Sequence, residues 1–146
     1  GTRNQEVIQR LQSFGSAIGL AFQVRDDILG IWATSQELGK TQAGDIYRRK
    51  KSLPVLHALE QASEQDQRTL HAIYQQDAAL QPSQVEQVLA IFERTRTHAY
   101  CQAFLRQHCN TAHEALANVP HAGPAISERA LADMETMVQF IETAAR

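Results

Sequence analysis

Residues 22–54 read FQVRDDILGIWATSQELGKTQAGDIYRRKKSLP, and this stretch holds the unusual residues of the chain. Two adjacent carboxylates, Asp26 and Asp27, sit inside an otherwise apolar run: Ile18, Leu20, Ala21, Phe22 and Val24 precede them, and Ile28, Leu29, Ile31 and Trp32 follow. A carboxylate in apolar surroundings must be paired, protonated or bound to a metal, and two neighbouring ones repel. A cation is therefore expected nearby. Downstream the sequence supplies Lys40, Asp45, Arg48, Arg49, Lys50 and Lys51, with Gly39 and Gly44 loosening the connection. The combination suits a hard divalent ion that holds an anion, because Mg²⁺ keeps several waters and is bound through one or two carboxylates together with substrate phosphates.

Working outward, residues 5 to 33 place Val7, Ile8, Leu11, Phe14, Ile18, Phe22 and Leu29 at helical spacings, with no strand alternation. After Phe14 this helix is apolar on nearly every side, the pattern of a helix at the centre of a bundle. Gly15, Gly19, Phe22, Asp26 and Gly30 share one face, so another helix or a ligand is expected to approach that face closely. Helical periodicity is lost from Ala33 to Gly44, which reads as a long loop of functional character. Helix is expected to resume near Asp45 or Arg48 and run to Ala62, and Ser63 opens a short helix to about Gln75. Pro82, Ser83 and Glu86 give a capping-box signal for a helix that continues, with a break near Arg96, to about Leu116. Residues 119–124 form a turn, and a last helix is expected from about Ala125 to Ala144. The fold class is all-α, a helical bundle, with residues 1–146 taken as a single domain.

At 146 residues and 43% hydrophobic the chain can bury one core. A net charge of -2 argues against a general nucleic-acid surface, so anion binding should be local to the basic cluster at Arg48–Lys51. Taken alone, that RRKK run reads as a solvated helix start. No apolar run is long enough for a transmembrane segment, the polar start does not resemble a signal peptide, and cytoplasm is the default compartment. Cys101 and Cys109 fall on one helix roughly 12 Å apart along its axis, too far for a disulfide. The six histidines show no i, i+4 pairing suited to a metal, and Trp32 reads as core.

The series Phe22-Gln23-Val24-Arg25-Asp26-Asp27-Ile28-Leu29, Gly39-Lys40, Gly44-Asp45, Lys50 and Ser52-Leu53-Pro54 resembles the second aspartate-rich region of the trans-isoprenyl diphosphate synthases, or polyprenyl synthetases. Their pattern is FQxxDDxxD, a loop ending in GK, a GD, and a KxTLP stretch. The resemblance implies an all-α prenyltransferase that joins isopentenyl diphosphate to an allylic diphosphate with Mg²⁺ as cofactor, commonly as a homodimer. It implies Asp26 as direct metal ligand and catalytic residue. Asp27 and Asp45 would act through metal-bound water or by orienting basic neighbours. Lys40 and Lys50 would grip the diphosphate, Lys40 also serving catalysis, and Phe22 and Gln23 would border the substrate pocket.

Two departures stand out. Gly30 occupies the position where the family pattern has a third aspartate, and a carboxylate restored there is expected to tighten Mg²⁺ if the helix face has room. Nothing before Phe22 resembles the family's first DDxxD motif, so the chain is expected to be the C-terminal portion of such a synthase. Alone it is expected to be inactive, and to self-associate or remain with its N-terminal half. The alternative is a non-catalytic helical subunit that binds diphosphate or a partner.

Overall fold

The structure, a computed structural model, describes residues 2–33, 42–120 and 126–146. Its helices are α1 (Thr2–Trp32), α2 (Gly44–Tyr47), α3 (Leu53–Gln61), α4 (Glu64–Gln75), α5 (Pro82–Arg94), α6 (Thr97–Ala117) and α7 (Glu128–Glu142), ending in a 3₁₀ turn at Thr143–Ala145. No strand occurs among the described residues, as the 3.6-residue periodicity predicts. None of the described helices is long and apolar enough to cross a membrane. Most of the predicted loop after Ala33, Gly39 and Lys40 included, lies outside the described residues, as does most of the turn predicted at 119–124.

The chain forms two compact units, one of Gly1–Arg25 with Gln102–Arg146 and one of Asp26–Cys101. In the first, Val7, Phe14, Ala17, Ala21 and Val24 are buried at alternating spacings of mostly three and four, the apolar stripe of an amphipathic helix. The expectation of a helix buried on all sides is corrected here. Leu20 and Phe22 remain 45% and 49% exposed, and nothing lies within 4 Å of where a Cβ would stand on Gly15 or Gly19. The same unit also buries Leu105, Cys109 and Ala112 of α6 and Val138 and Ile141 of α7. His113 on α6 lies between two carboxylates of α7, at 2.6 Å from Glu135 and 3.4 Å from Glu142. The Arg25 guanidinium stacks over the Phe140 ring at 4.7 Å.

In the second unit Ile31, Ile46, Val55, Leu70, Ile73, Val88, Ile91 and Phe92 form the core, and α5 packs against α2, α3 and α4. Local chemistry sets the ends of its helices. Ser63 caps α4, its hydroxyl accepting the Asp66 amide at 3.2 Å, as its position predicts. The α5 cap differs from expectation: Gln81 and Gln84 form the capping box, because Pro82, with its fixed φ and missing N–H, takes the first helical position and moves Ser83 inside. The helix expected to run from near Asp45 or Arg48 to Ala62 is split. Arg49 adopts φ 54 and closes α2, with Lys50 N donating to Asp45 O at 2.9 Å and Arg49 N to Ile46 O at 2.8 Å. That is a Schellman cap built without its usual glycine. α3 then starts afresh at Leu53 with Pro54 in its first turn.

Aromatic stacking and one buried hydroxyl tie the start of α6 to this unit. His98 stacks on Trp32 with ring centroids 4.1 Å apart, and His57 stacks on Tyr100 at 4.0 Å. The fully buried Thr97 hydroxyl bridges His57 Nδ1 at 2.8 Å and Thr95 Oγ1 at 2.7 Å. Burial is the first cause that lowers both the His57 and the His98 pKa from the ordinary 6.5. The thiols of Cys101 and Cys109 are free, and burial pushes them up to about 12 and about 11, so neither is a reactive thiolate.

Two outcomes follow from these packings. A histidine whose folded pKa is depressed binds its proton more readily when unfolded, so stability is intact above 6.5 and falls as pH drops below it toward the lowered folded value. The melting temperature should therefore decline from pH 7 to pH 5, and His98→Phe, which keeps a ring against Trp32, should flatten that decline; an unchanged slope would count against the assignment. The second concerns Arg96, exposed at the α5–α6 junction with φ 56. A side chain in that left-handed conformation is strained, and Arg96→Gly should stabilise the protein by about 0.5–1 kcal/mol, readable by urea titration.

Candidate anion and cation site

The site begins with the phase of α1. Successive helical residues point about 100° apart, so Asp27 falls beside the buried stripe of Val24, Ile28 and Ile31, whereas Asp26 faces solvent. The two carboxylates therefore have different work. Asp27 is buried and its Oδ1 accepts from Lys50 Nζ at 3.2 Å, while its Oδ2 accepts from the Leu53 amide at 3.3 Å. Leu53 is the first residue of α3, and the Ser52 hydroxyl, though at the cap position, makes no cap hydrogen bond and is buried without a partner. Asp27 thus supplies the negative charge that the N-terminus of α3 favours.

Asp45, in the single turn of α2, is the second buried carboxylate. Its Oδ1 accepts from Arg48 Nη2 at 2.6 Å, and its Oδ2 lies 3.8 Å from Lys50 Nζ without a hydrogen-bond partner. The Schellman cap explains the proximity, since the left-handed Arg49 turns the chain back and sets Lys50 over the end of α2. Lys50 consequently bridges Asp27 and Asp45 while 48% of its side chain stays open to solvent. The hydrogen bond to Asp27 is the chief cause that raises its pKa above the ordinary 10.5; burial opposes it, and the charges of Asp27, Asp45 and Asp26 add to it. Such a raised lysine contributes stability that is fully present below 10.5 and lost as pH rises through the higher folded value. The ammonium is charged at any physiological pH.

The structure thus brings Asp27, Asp45 and Lys50 together, with Asp26 close enough for its charge to act on Lys50. Phe22 and Gln23 are exposed on α1, one turn before Asp26. Lys40 lies outside the described residues. Of the basic residues expected near the aspartates, Arg48 pairs with Asp45 at the i, i+3 spacing, and Arg49 donates to Ala78 O at 2.7 Å. One neighbour of the site, Tyr74, left no mark in the sequence. The Tyr74 hydroxyl is buried without a partner, and burial, with the field of Asp45, raises its pKa. The helix face also lacks room for a side chain at Gly30, because the Asp45 carboxylate already stands there.

Chemically, the group is a pair of buried carboxylates clamped on one ammonium, with a third, exposed carboxylate alongside. A half-exposed lysine held on two anchors can meet an anion, and an exposed aspartate beside it can share a cation with that anion.

Residues 1–92 match the polyprenyl synthetase family. The chain is similar to the geranylgeranyl diphosphate synthase of Mycobacterium tuberculosis, 44% identical over 84 residues, covering 58% of this chain and 24% of that protein. It is 35% identical over 116 residues to the short chain isoprenyl diphosphate synthase of Methanothermobacter thermautotrophicus, covering 80% of this chain and 35% of that one. The crystal structure of geranylgeranyl pyrophosphate synthetase from Pyrococcus horikoshii superposes with a TM-score of 0.81 at 30% identity, over 94% of this chain and 39% of that one. The chain therefore spans well under half the length of these relatives. By this match, and by helices that follow those of its relatives over nearly their whole described length, the chain belongs to the polyprenyl synthetase family.

Proposed function

We propose that the protein carrying this chain is a trans-prenyltransferase that joins isopentenyl diphosphate to an allylic diphosphate, and that these residues form the half of its active site that holds the allylic diphosphate. The single observation that carries the reading is Lys50, half exposed yet anchored between the buried Asp27 and Asp45. An ammonium so fixed loses little freedom when an anion arrives, which is the preorganisation that charge stabilisation requires. The relatives' names as isoprenyl diphosphate synthases support the substrate class.

Mg²⁺ is the cofactor of this reading. Among the described residues no three His, Cys, Asp or Glu side chains gather closely enough to hold a metal ion by themselves. Mg²⁺ is typically bound through one or two carboxylates together with substrate phosphates. Asp26 would be the direct ligand, being the exposed carboxylate, with Asp27 and Asp45 behind it; the buried Oδ2 of Asp45, ion-paired with Lys50, accepts no hydrogen bond and has acceptor capacity to spare. Bound there, the metal supplies neutralisation of the charge that develops on the departing pyrophosphate.

The chain's own residues do the rest. Lys50 meets the diphosphate oxygens from its two carboxylate anchors. Lys40 joins it from the GK motif by sequence position. Asp27 keeps Lys50 and the start of α3, the helix that carries Val55 and Ala58 into the core, in register. Phe22 and Gln23 border the pocket for the hydrocarbon part. Homodimerisation, as the resemblance implies, completes the proposal.

In the full protein Asp26→Ala should lower kcat by ~10² or more, the scale of losing a principal electrostatic stabiliser. Lys40→Ala and Lys50→Ala should weaken diphosphate binding and turnover together, because a lysine that grips the anion acts before and during its departure. Steady-state kinetics with isopentenyl and allylic diphosphates would measure both. Wild-type turnover and wild-type Mg²⁺-dependent diphosphate binding in all three variants would replace this reading with that of a non-catalytic helical subunit.

A further inference from the structure

The Asp45 carboxylate lies where a side chain at position 30 would begin. A Cβ on Gly30 would stand 2.1 Å from Asp45 Oδ2, 2.3 Å from its Cγ and 2.8 Å from its Oδ1. All three atoms of the carboxylate are inside contact distance, so turning its oxygens cannot clear the overlap. The crowding is local to this position, since Gly15 and Gly19 on the same helix have nothing within 4 Å. Nor is Asp45 free to retreat. It is buried, its Oδ1 is held by Arg48 at 2.6 Å, and its backbone carbonyl accepts from the Lys50 amide in the cap that closes α2.

We propose that Gly30 and Asp45 are a matched pair: the bare α-carbon of Gly30 seats the Asp45 carboxylate, and Asp45, so seated, is a positioning residue that fixes the Lys50 ammonium from the side opposite Asp27. The departure from DDxxD then has a physical meaning. The space one turn after Asp26, where the family pattern has a third aspartate, is taken in this chain by the carboxylate delivered from α2. Any side chain at position 30 displaces Asp45, and with it one of the two anchors of Lys50. The pairing is a matter of packing and stands by itself; only its consequence for diphosphate binding rests on the function proposed above.

The test is a cycle of Gly30→Ala, Asp45→Ala and the double variant in the full protein, read by melting temperature and by the rate at which acetic anhydride labels Lys50. The neighbouring exposed Lys51 serves as internal reference in the mass spectrum. With Asp45 present, Gly30→Ala should lower the melting temperature by at least about 4 °C, against the gain that alanine ordinarily gives in a helix. In the Asp45→Ala background the same change should cost nothing or stabilise. Lys50 labelling relative to Lys51 should rise several-fold in Gly30→Ala and Asp45→Ala alike, and no further in the double variant. Should Gly30→Ala fail to fold, the double variant should fold. An equal cost of Gly30→Ala in both backgrounds, no cost in either, or a double variant that does not fold would overturn the pairing; unchanged Lys50 labelling would overturn the positioning role. Mg²⁺-dependent binding of inorganic pyrophosphate, measured by calorimetry, keeps the two readings apart. If the wild-type protein binds none, the diphosphate reading falls while the temperature and labelling cycle still decides the pair.

Discussion

A buried carboxylate must find a cation, and the second unit is arranged around that requirement. Asp27 and Asp45 both lie below a tenth exposed, and each would cost several kcal/mol if left uncompensated. Lys50 answers both at once, at 3.2 and 3.8 Å, with Arg48 taking the remaining oxygen of Asp45. Three elements are thereby joined through polar contacts at one point: the end of α1, the turn of α2 and the start of α3. The apolar core of Ile31, Ile46, Val55 and Val88 packs the same elements from within. Removing one partner would leave a buried charge unpaired, which is more disruptive than replacing the whole group.

The same constraint links stability to chemistry. An ammonium bridging two buried carboxylates is rigid on the protein side and open on the solvent side, so it can contribute charge to a bound anion with little reorganisation. The cap that makes this possible is strained, because Arg49 holds a backbone conformation that glycine adopts at lower cost. Arg49 gains a compensating contact in its hydrogen bond to Ala78 O. Backbone strain is often found where a protein sets functional geometry, and here it aims Lys50.

Much of this was legible in the sequence. The 3.6-residue period gave the helices, Ser63 announced its cap, and two aspartates in an apolar run demanded cations that the downstream basic residues could supply. The division of labour between Asp26 and Asp27 was also within reach, since the stripe of Val24, Ile28 and Ile31 runs beside residue 27 and away from residue 26. Other features left no such mark. Glutamine is a weak cap former, so the Gln81–Gln84 box was hidden behind the stronger signal of Ser83. The Schellman turn lacks its usual glycine, so the break at Arg49 leaves no mark in the sequence. Gly30 looked like an omission in a motif. Only the placement of Asp45 against it, a contact between residues on separate helices, gives that glycine a steric cause.

The central claim is that Lys50, held by Asp27 and Asp45 beside an exposed Asp26, is the anion-facing charge of a metal and diphosphate site. The most direct measurement is a crystal structure of the full protein grown with inorganic pyrophosphate and Mn²⁺, whose anomalous signal marks the position of the metal. The account predicts a peak at the Asp26 carboxylate and pyrophosphate oxygens within hydrogen-bonding distance of Lys50 Nζ, with Asp27 still joining Lys50 to the start of α3. A peak and a pyrophosphate bound elsewhere, with Lys50 contacting only its two carboxylates, would contradict it.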